Sequence, residues 1–158
     1  MNELITVKKY ADQWTNAQLV ILVIRNDDLG QVSWEMRTED ADPVWRGAQD
    51  VEPFDYAGYA RLIGFRGIRV DADDDVAKAL DDAFAYDGVT LVEAVVSRNV
   101  PPLPPHITRE YAKNTGLSLL RGDPFEANVI KDSAVALATA GAERVKDALH
   151  LGGRRPTK

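Results

Sequence analysis

Residues 19–37 read LVILVIRNDDLGQVSWEMR, and this stretch decides the fold class. Six apolar residues, Leu19 to Ile24, run without a break and four of them are β-branched. A run that short and that apolar suits a central strand of a parallel sheet, buried on both faces, because helices cover a parallel sheet from above and below. Directly after it come Asn26, Asp27, Asp28, Leu29 and Gly30. In an open parallel sheet, ligands gather beyond the carboxyl ends of the strands, and this acidic knot occupies that position. An Asn amide oxygen and a backbone carbonyl are hard oxygen donors, suited to Mg²⁺ or Ca²⁺ when a bound phosphate supplies further oxygens. Gly30 lets the backbone turn and lets a ligand approach closely. The same composition also makes an Asx turn that closes the strand and caps a helix at residue 31. The residues alone leave both readings open.

Outward from this stretch, the chain alternates. NELITVKKYADQW (2–14) places Leu4, Val7, Ala11 and Trp14 on one helical stripe. Residues 31–37 start a short helix, and 38–53, broken by Pro43, Gly47 and Pro53, read as a long loop. A helix is expected over 55–65, a strand over 67–71, a helix over 73–86 opened by acids, and a strand over 89–96. NVPPLPPH (99–106) interrupts the pattern and reads as a rigid connector. Two further helices are expected over 108–120 and about 126–150. GDP at 122–124 reads as a turn and cap between them. The order of elements implies an α/β fold, an open parallel sheet with flanking helices, plus C-terminal helices. A helix before the first strand, with only Met1 ahead of it, gives the expectation that a first βα unit is missing.

Composition narrows the function. At 158 residues, with 45% hydrophobic and 28% charged residues, the chain suits a globular domain. A net charge of −6 argues against a nucleic-acid partner, since phosphate backbones need clustered Lys and Arg. The basic residues Arg154, Arg155 and Lys158 sit in what reads as a frayed tail. Without cysteine there is no thiolate chemistry. No apolar run approaches the about 20 residues of a membrane span, and no signal peptide is expected. A cytoplasmic location is expected.

VILVIRNDDLGQVSWEMR resembles the second half of the thiamine diphosphate motif of the acetolactate synthase and pyruvate oxidase group. That motif is Gly-Asp-Gly followed, some way on, by a strand ending in Asn-Asn and then a Leu-Gly or Tyr-Gly. The likeness continues through YAGYARLIGFRGIRVDADDDVAKALDDAFAYDGVTLVEAVVSRNVPPLPPH, and MNELITVKKY is similar to the helix that follows Gly-Asp-Gly. It covers about residues 1–106, as a partial C-terminal domain. Residues 107–150 would be a helical extension and 151–158 a disordered tail.

The resemblance implies that Asn26 binds Mg²⁺ through its side chain and Asp28 through its main-chain carbonyl. Gly30 matches the turn glycine. Gln31 and Val32 match positions beside the thiazolium and substrate, and Glu35 an acid lining the reaction site, the one catalytic candidate. Arg25 stands where the family has the first Asn of its pair, and Gln31 stands where an aromatic residue is common. The Asp of Gly-Asp-Gly and the Glu that contacts the pyrimidine ring have no counterpart here. The implied cofactors are thiamine diphosphate and Mg²⁺, with a flavin possible in a full-length parent. The implied substrate is a 2-keto acid of the pyruvate type, and the parent is expected to be a homo-oligomer. On this reading the chain alone is inactive. The alternative is a non-catalytic α/β remnant that binds a full-length relative, and a phosphoacceptor-type Mg²⁺ domain using Asp27 or Asp28 ranks third.

The other candidates have plainer readings. Asp71 and Asp73 to Asp75 suit a solvated helix start, Trp34, Met36 and Trp45 suit packing, His106 a loop and His150 a helix C-terminus.

Overall fold

A computed structural model describes residues 2–101 and 108–151. The expectations for His106, for most of NVPPLPPH and for the 151–158 tail beyond Leu151 therefore fall outside the described residues. The chain divides into two compact units, residues up to 28 with 51–96, and residues 29–50 with those from 97 onward.

The first unit is a parallel α/β layer. Helix α1 (Glu3–Tyr10) continues into a 3₁₀ turn at Ala11–Gln13. Strand β1 (Leu19–Arg25), helix α4 (Tyr56–Leu62), strand β2 (Arg66–Val70), helix α5 (Val76–Phe84) and strand β3 (Val89–Val95) complete it. The sheet has the order β1-β3-β2 and every pairing is parallel. Register sets Leu22 opposite Val92, Val23 opposite Glu93 and Ile68 opposite Val92. Because side chains alternate, Val20, Ile68, Val70 and Val92 share one face. They pack against Ala79 and Ala83 of α5. On the other face, Leu91 and Glu93 are fully buried, as are Ala57 and Ala60 of α4. Small residues on α4 allow close approach: a methyl group at Gly67 would stand 2.0 Å from the Ala57 carbonyl oxygen. Asp55 caps α4 by accepting the Gly58 amide at 2.7 Å.

This sheet corrects the expectation for residues 19–24. The strand forms, but β3 is the central strand and β1 lies at an edge. Leu22 is 53% exposed and Ile24 66%. An apolar run reports a strand's propensity; burial of both faces depends on neighbours that the run does not encode. On the stripe over 2–14, Leu4, Val7 and Ala11 are half-buried, Trp14 is exposed, and no residue of α1 is buried.

The second unit holds α2 (Gly30–Glu35), a π turn at Met36–Asp40, α3 (Arg46–Gln49), α6 (Arg109–Leu120) and α7 (Glu126–Leu151). The expected loop over 38–53 thus contains helical turns. A helix end leaves carbonyls without partners. Here Asn114 Nδ2 donates to the Thr38 and Glu39 carbonyls at 2.9 and 3.1 Å, and Arg121 to that of Ala41 at 2.8 Å. Asp123 organises the rest. It accepts from Arg37 Nε at 2.8 Å and Nη2 at 3.1 Å, from the Val44 amide at 3.1 Å and from the Phe125 amide at 2.9 Å. The turn at 122–124 forms as expected, with Gly122 left-handed at φ 95°, and its Asp is a buried anchor as well. No helix among the described residues is long and apolar enough to cross a membrane.

Candidate functional site

The residues expected to form one site fall on both units. In the first unit, Asn26 and Asp28 follow β1 at its carboxyl end. The ladder runs one residue past the strand, with the Val96 amide donating to the Arg25 carbonyl at 2.9 Å. The chain then turns sharply. The Asp28 amide donates to Asn26 Oδ1 at 3.1 Å, an Asx turn. Asp27 takes the left-handed conformation, φ 52°, and its carbonyl accepts the Val51 amide at 3.1 Å. Asp27, and not Gly30, is the left-handed residue of this turn; Gly30 opens α2 as a helical residue.

A cavity of about 140 Å³ opens at this strand end. Arg25, Asn26, Asp27, Asp28, Glu52 and Tyr56 are among the residues lining it. Its rim carries three carboxylates and one guanidinium, and the Asn26 amide oxygen joins them as a hard donor. That oxygen spends one lone pair on the Asx turn and keeps the other. The donor set suits a hard cation that takes oxygen ligands. Among the described residues no group of three or more His, Cys, Asp or Glu side chains is placed to hold a metal by itself. A hard cation placed here would need further oxygens from water or another ligand, as Mg²⁺ ordinarily does.

Arg25 stands behind the turn. Its guanidinium donates to both carboxylate oxygens of Asp27, at 2.7 and 3.2 Å, to Glu93 Oε1 at 2.5 Å and to the Phe54 carbonyl at 3.4 Å. The hydrogen bond to Asp27, then that to Glu93, push its already high pKa further up. Glu93 is fully buried on β3, and its second oxygen accepts the Ala57 amide at 3.0 Å. A buried carboxylate is stable only when paired and hydrogen-bonded, and Glu93 is both. No sequence pattern marks either partner as a functional residue. The available signal was a lone acid inside VTLVEAVV and an Arg closing an apolar strand.

In the second unit, α2 carries Gly30, Gln31, Val32 and Glu35. The Leu29 amide donates to the Gln49 carbonyl at 2.9 Å, which fixes the start of the helix. Gln31 Nε2 donates to Glu35 Oε1 at 2.9 Å, one turn apart, and both side chains are exposed. Val32 is 44% exposed, while Ser33 and Trp34 are buried. The structure thus brings Asn26 and Asp28 to one cavity and pairs Gln31 with Glu35 on a helix of the other unit.

Comparison with known proteins gives a consistent picture. The sequence model described as "Thiamine pyrophosphate enzyme, C-terminal TPP binding domain" matches residues 1–94, more than half of the 158. A protein of Bacillus subtilis (strain 168), YdaP, whose name describes a thiamine pyrophosphate-containing protein, is 28% identical over 137 residues. The match takes in 84% of this chain and 22% of YdaP, so the chain spans about a fifth of that relative's length. No solved structure gives a significant match.

Proposed function

This chain belongs to the thiamine pyrophosphate enzyme family through its C-terminal TPP-binding domain, and from that premise we propose that Asn26 and Asp28 hold the divalent cation and diphosphate of the cofactor. The observation that carries the proposal is the hard-oxygen cavity at the carboxyl end of β1, where open parallel sheets place their ligands. Asn26 Oδ1 and the Asp28 carbonyl are the proposed Mg²⁺ ligands. Gly30, Gln31 and Val32 are proposed to approach the thiazolium end, and Glu35 to serve as an acid beside the substrate. Thiamine diphosphate, when bound, supplies the electron sink for breaking the bond to a 2-keto acid carboxylate, while the protein binds and orients it. The parent is proposed to be a homo-oligomeric enzyme of the pyruvate oxidase or acetolactate synthase type, with residues 1–106 as its partial TPP-binding domain. The isolated chain is proposed to be inactive.

Calorimetric titration with Mg²⁺ and thiamine diphosphate tests this. Asn26→Ala should weaken binding by at least about tenfold, by analogy with the loss of groups that support metal ligands. Equal affinity of the two proteins would refute the assignment of Asn26. Release of CO₂ from pyruvate by the purified chain would refute its inactivity.

A second reading, an interaction module for a longer relative, is favoured by the open edge of β1. Leu22 and Ile24 stand exposed on this strand, on the sheet face they share with Val92, at 53% and 66%, and an unpaired strand edge is a template for another chain. Co-elution with a full-length relative but no cofactor binding would select it.

A further inference from the structure

Arg25 lines the same cavity, and its guanidinium joins Asp27 of the turn to Glu93 and to the Phe54 carbonyl. Its fork grips Asp27 through two hydrogen bonds, the geometry that best fixes a carboxylate. Its other arm ends on Glu93, which is 0% exposed and anchored again by the Ala57 amide at the start of α4. Glu93 sits on the central strand, so the anchor moves only if the sheet moves. Asp27 is held at φ 52°, a left-handed conformation that is uncommon for residues other than glycine, although Asp takes it more readily than most. The Asx turn that orients Asn26 Oδ1 begins beside Arg25 and closes just past Asp27.

We infer that Arg25 is the positioning residue of the cation-binding turn: braced by buried Glu93, it holds Asp27 left-handed and so sets Asn26 Oδ1 for its ligand. The inference rests on the reading of Asn26 as a cation ligand. Arg25 is not proposed as a cation ligand. It acts through Asp27 and the backbone, and its charge is balanced by two carboxylates, so it does not compete for the cation site.

The test uses the full chain and two readouts. One is amide hydrogen exchange of Asp28, whose N–H closes the turn, measured by NMR without cation. The other is calorimetric titration with Mg²⁺ and thiamine diphosphate. In Arg25→Gln/Glu93→Gln both charges go together, and the Gln amide can still accept from Ala57. Asp28 exchange should quicken about tenfold or more, while Leu91 and Val92 in the central strand keep their protection, and cation affinity should fall about tenfold. A general loss of stability would speed all three amides alike and would overturn the inference, as would unchanged Asp28 exchange. Faster Asp28 exchange with unchanged cation affinity overturns it too. Arg25→Lys keeps Glu93 paired and covers the case in which the double variant does not fold. It should show the same two effects, smaller, because an ammonium cannot make the fork; wild-type values in both would overturn the inference. If the unsubstituted chain binds no cation, the assignment of Asn26 fails, and with it the functional half of this inference. Faster Asp28 exchange in the variants would then still show that Arg25 sets the turn.

Discussion

Asp123→Ala is the substitution whose cost the structure defines best. Arg37 is 1% exposed and Asp123 4%, so neither charge is relieved by solvent. The substitution leaves the Arg37 guanidinium buried with its carboxylate gone, resting on the Trp34 ring with its centre 4.7 Å away. Breaking a buried ion pair from one side costs about 3–5 kcal/mol. The Val44 and Phe125 amides lose their acceptor as well, at about 1 kcal/mol or more each. These losses share one carboxylate and do not simply add, so the expected total is about 4–5 kcal/mol. Urea unfolding followed by tryptophan fluorescence reads it directly. Trp34 is 4% exposed, whereas Trp14 and Trp45 are 38% and 71% exposed, so the shift in emission reports chiefly on Trp34. With a slope of about 2 kcal/mol per molar urea, the midpoint should fall by about 2 M. Arg37→Met/Asp123→Ala, which leaves no buried charge, should recover more than about 1 kcal/mol of that loss. A fall of less than about 0.5 M for the single variant, or a double variant no more stable than the single, would refute the reasoning.

Three further outcomes are expected. Burial by itself would raise the Asp123 carboxyl, but the Arg37 hydrogen bonds and the Phe125 and Val44 amides outweigh it and hold it below the usual 3.8. A depressed carboxylate contributes its stability above the unfolded-state value and loses it as pH falls through the folded one. The unfolding midpoint should therefore drop as pH falls below 3.8, and Asp123→Asn should flatten that drop; parallel pH profiles would contradict it. Gly67→Ala places a methyl 2.0 Å from the Ala57 carbonyl oxygen, a backbone atom that cannot swing aside. It should cost about 3 kcal/mol and lower the thermal midpoint by at least about 5 °C, and an unchanged midpoint would show that α4 shifts freely. Ile24→Lys, at a side chain 66% exposed on the sheet edge, should change stability by less than about 0.5 kcal/mol and reduce self-association in light scattering. Unchanged scattering would mean the β1 edge is not the surface through which copies meet.

The local elements were legible because local forces make them. The helices over 56–62, 76–84, 109–120 and 126–151 and the strands over 19–25, 66–70 and 89–95 lie close to their expected positions. Each carries its own periodicity, cap or breaker within a few residues. The parallel sheet followed from the alternation of those elements, and the composition of 26–30 marked the strand end where ligands collect. What the tertiary structure alone decided is which strand is central and which distant groups neutralise each other. LVILVI and VTLVEAVV are both apolar runs, yet every residue from Val89 to Glu93 is buried and β1 is the edge. Arg25 finds Glu93 across 68 residues and Arg37 finds Asp123 across 86. In the sequence Arg25 is only a departure from the family pair and Asp123 only a turn residue. Periodicity acts over a turn or two of chain, while the pairing of a buried charge is set by whichever opposite charge the fold brings within about 3 Å. Segments far apart in sequence meet there, and no local pattern encodes their meeting.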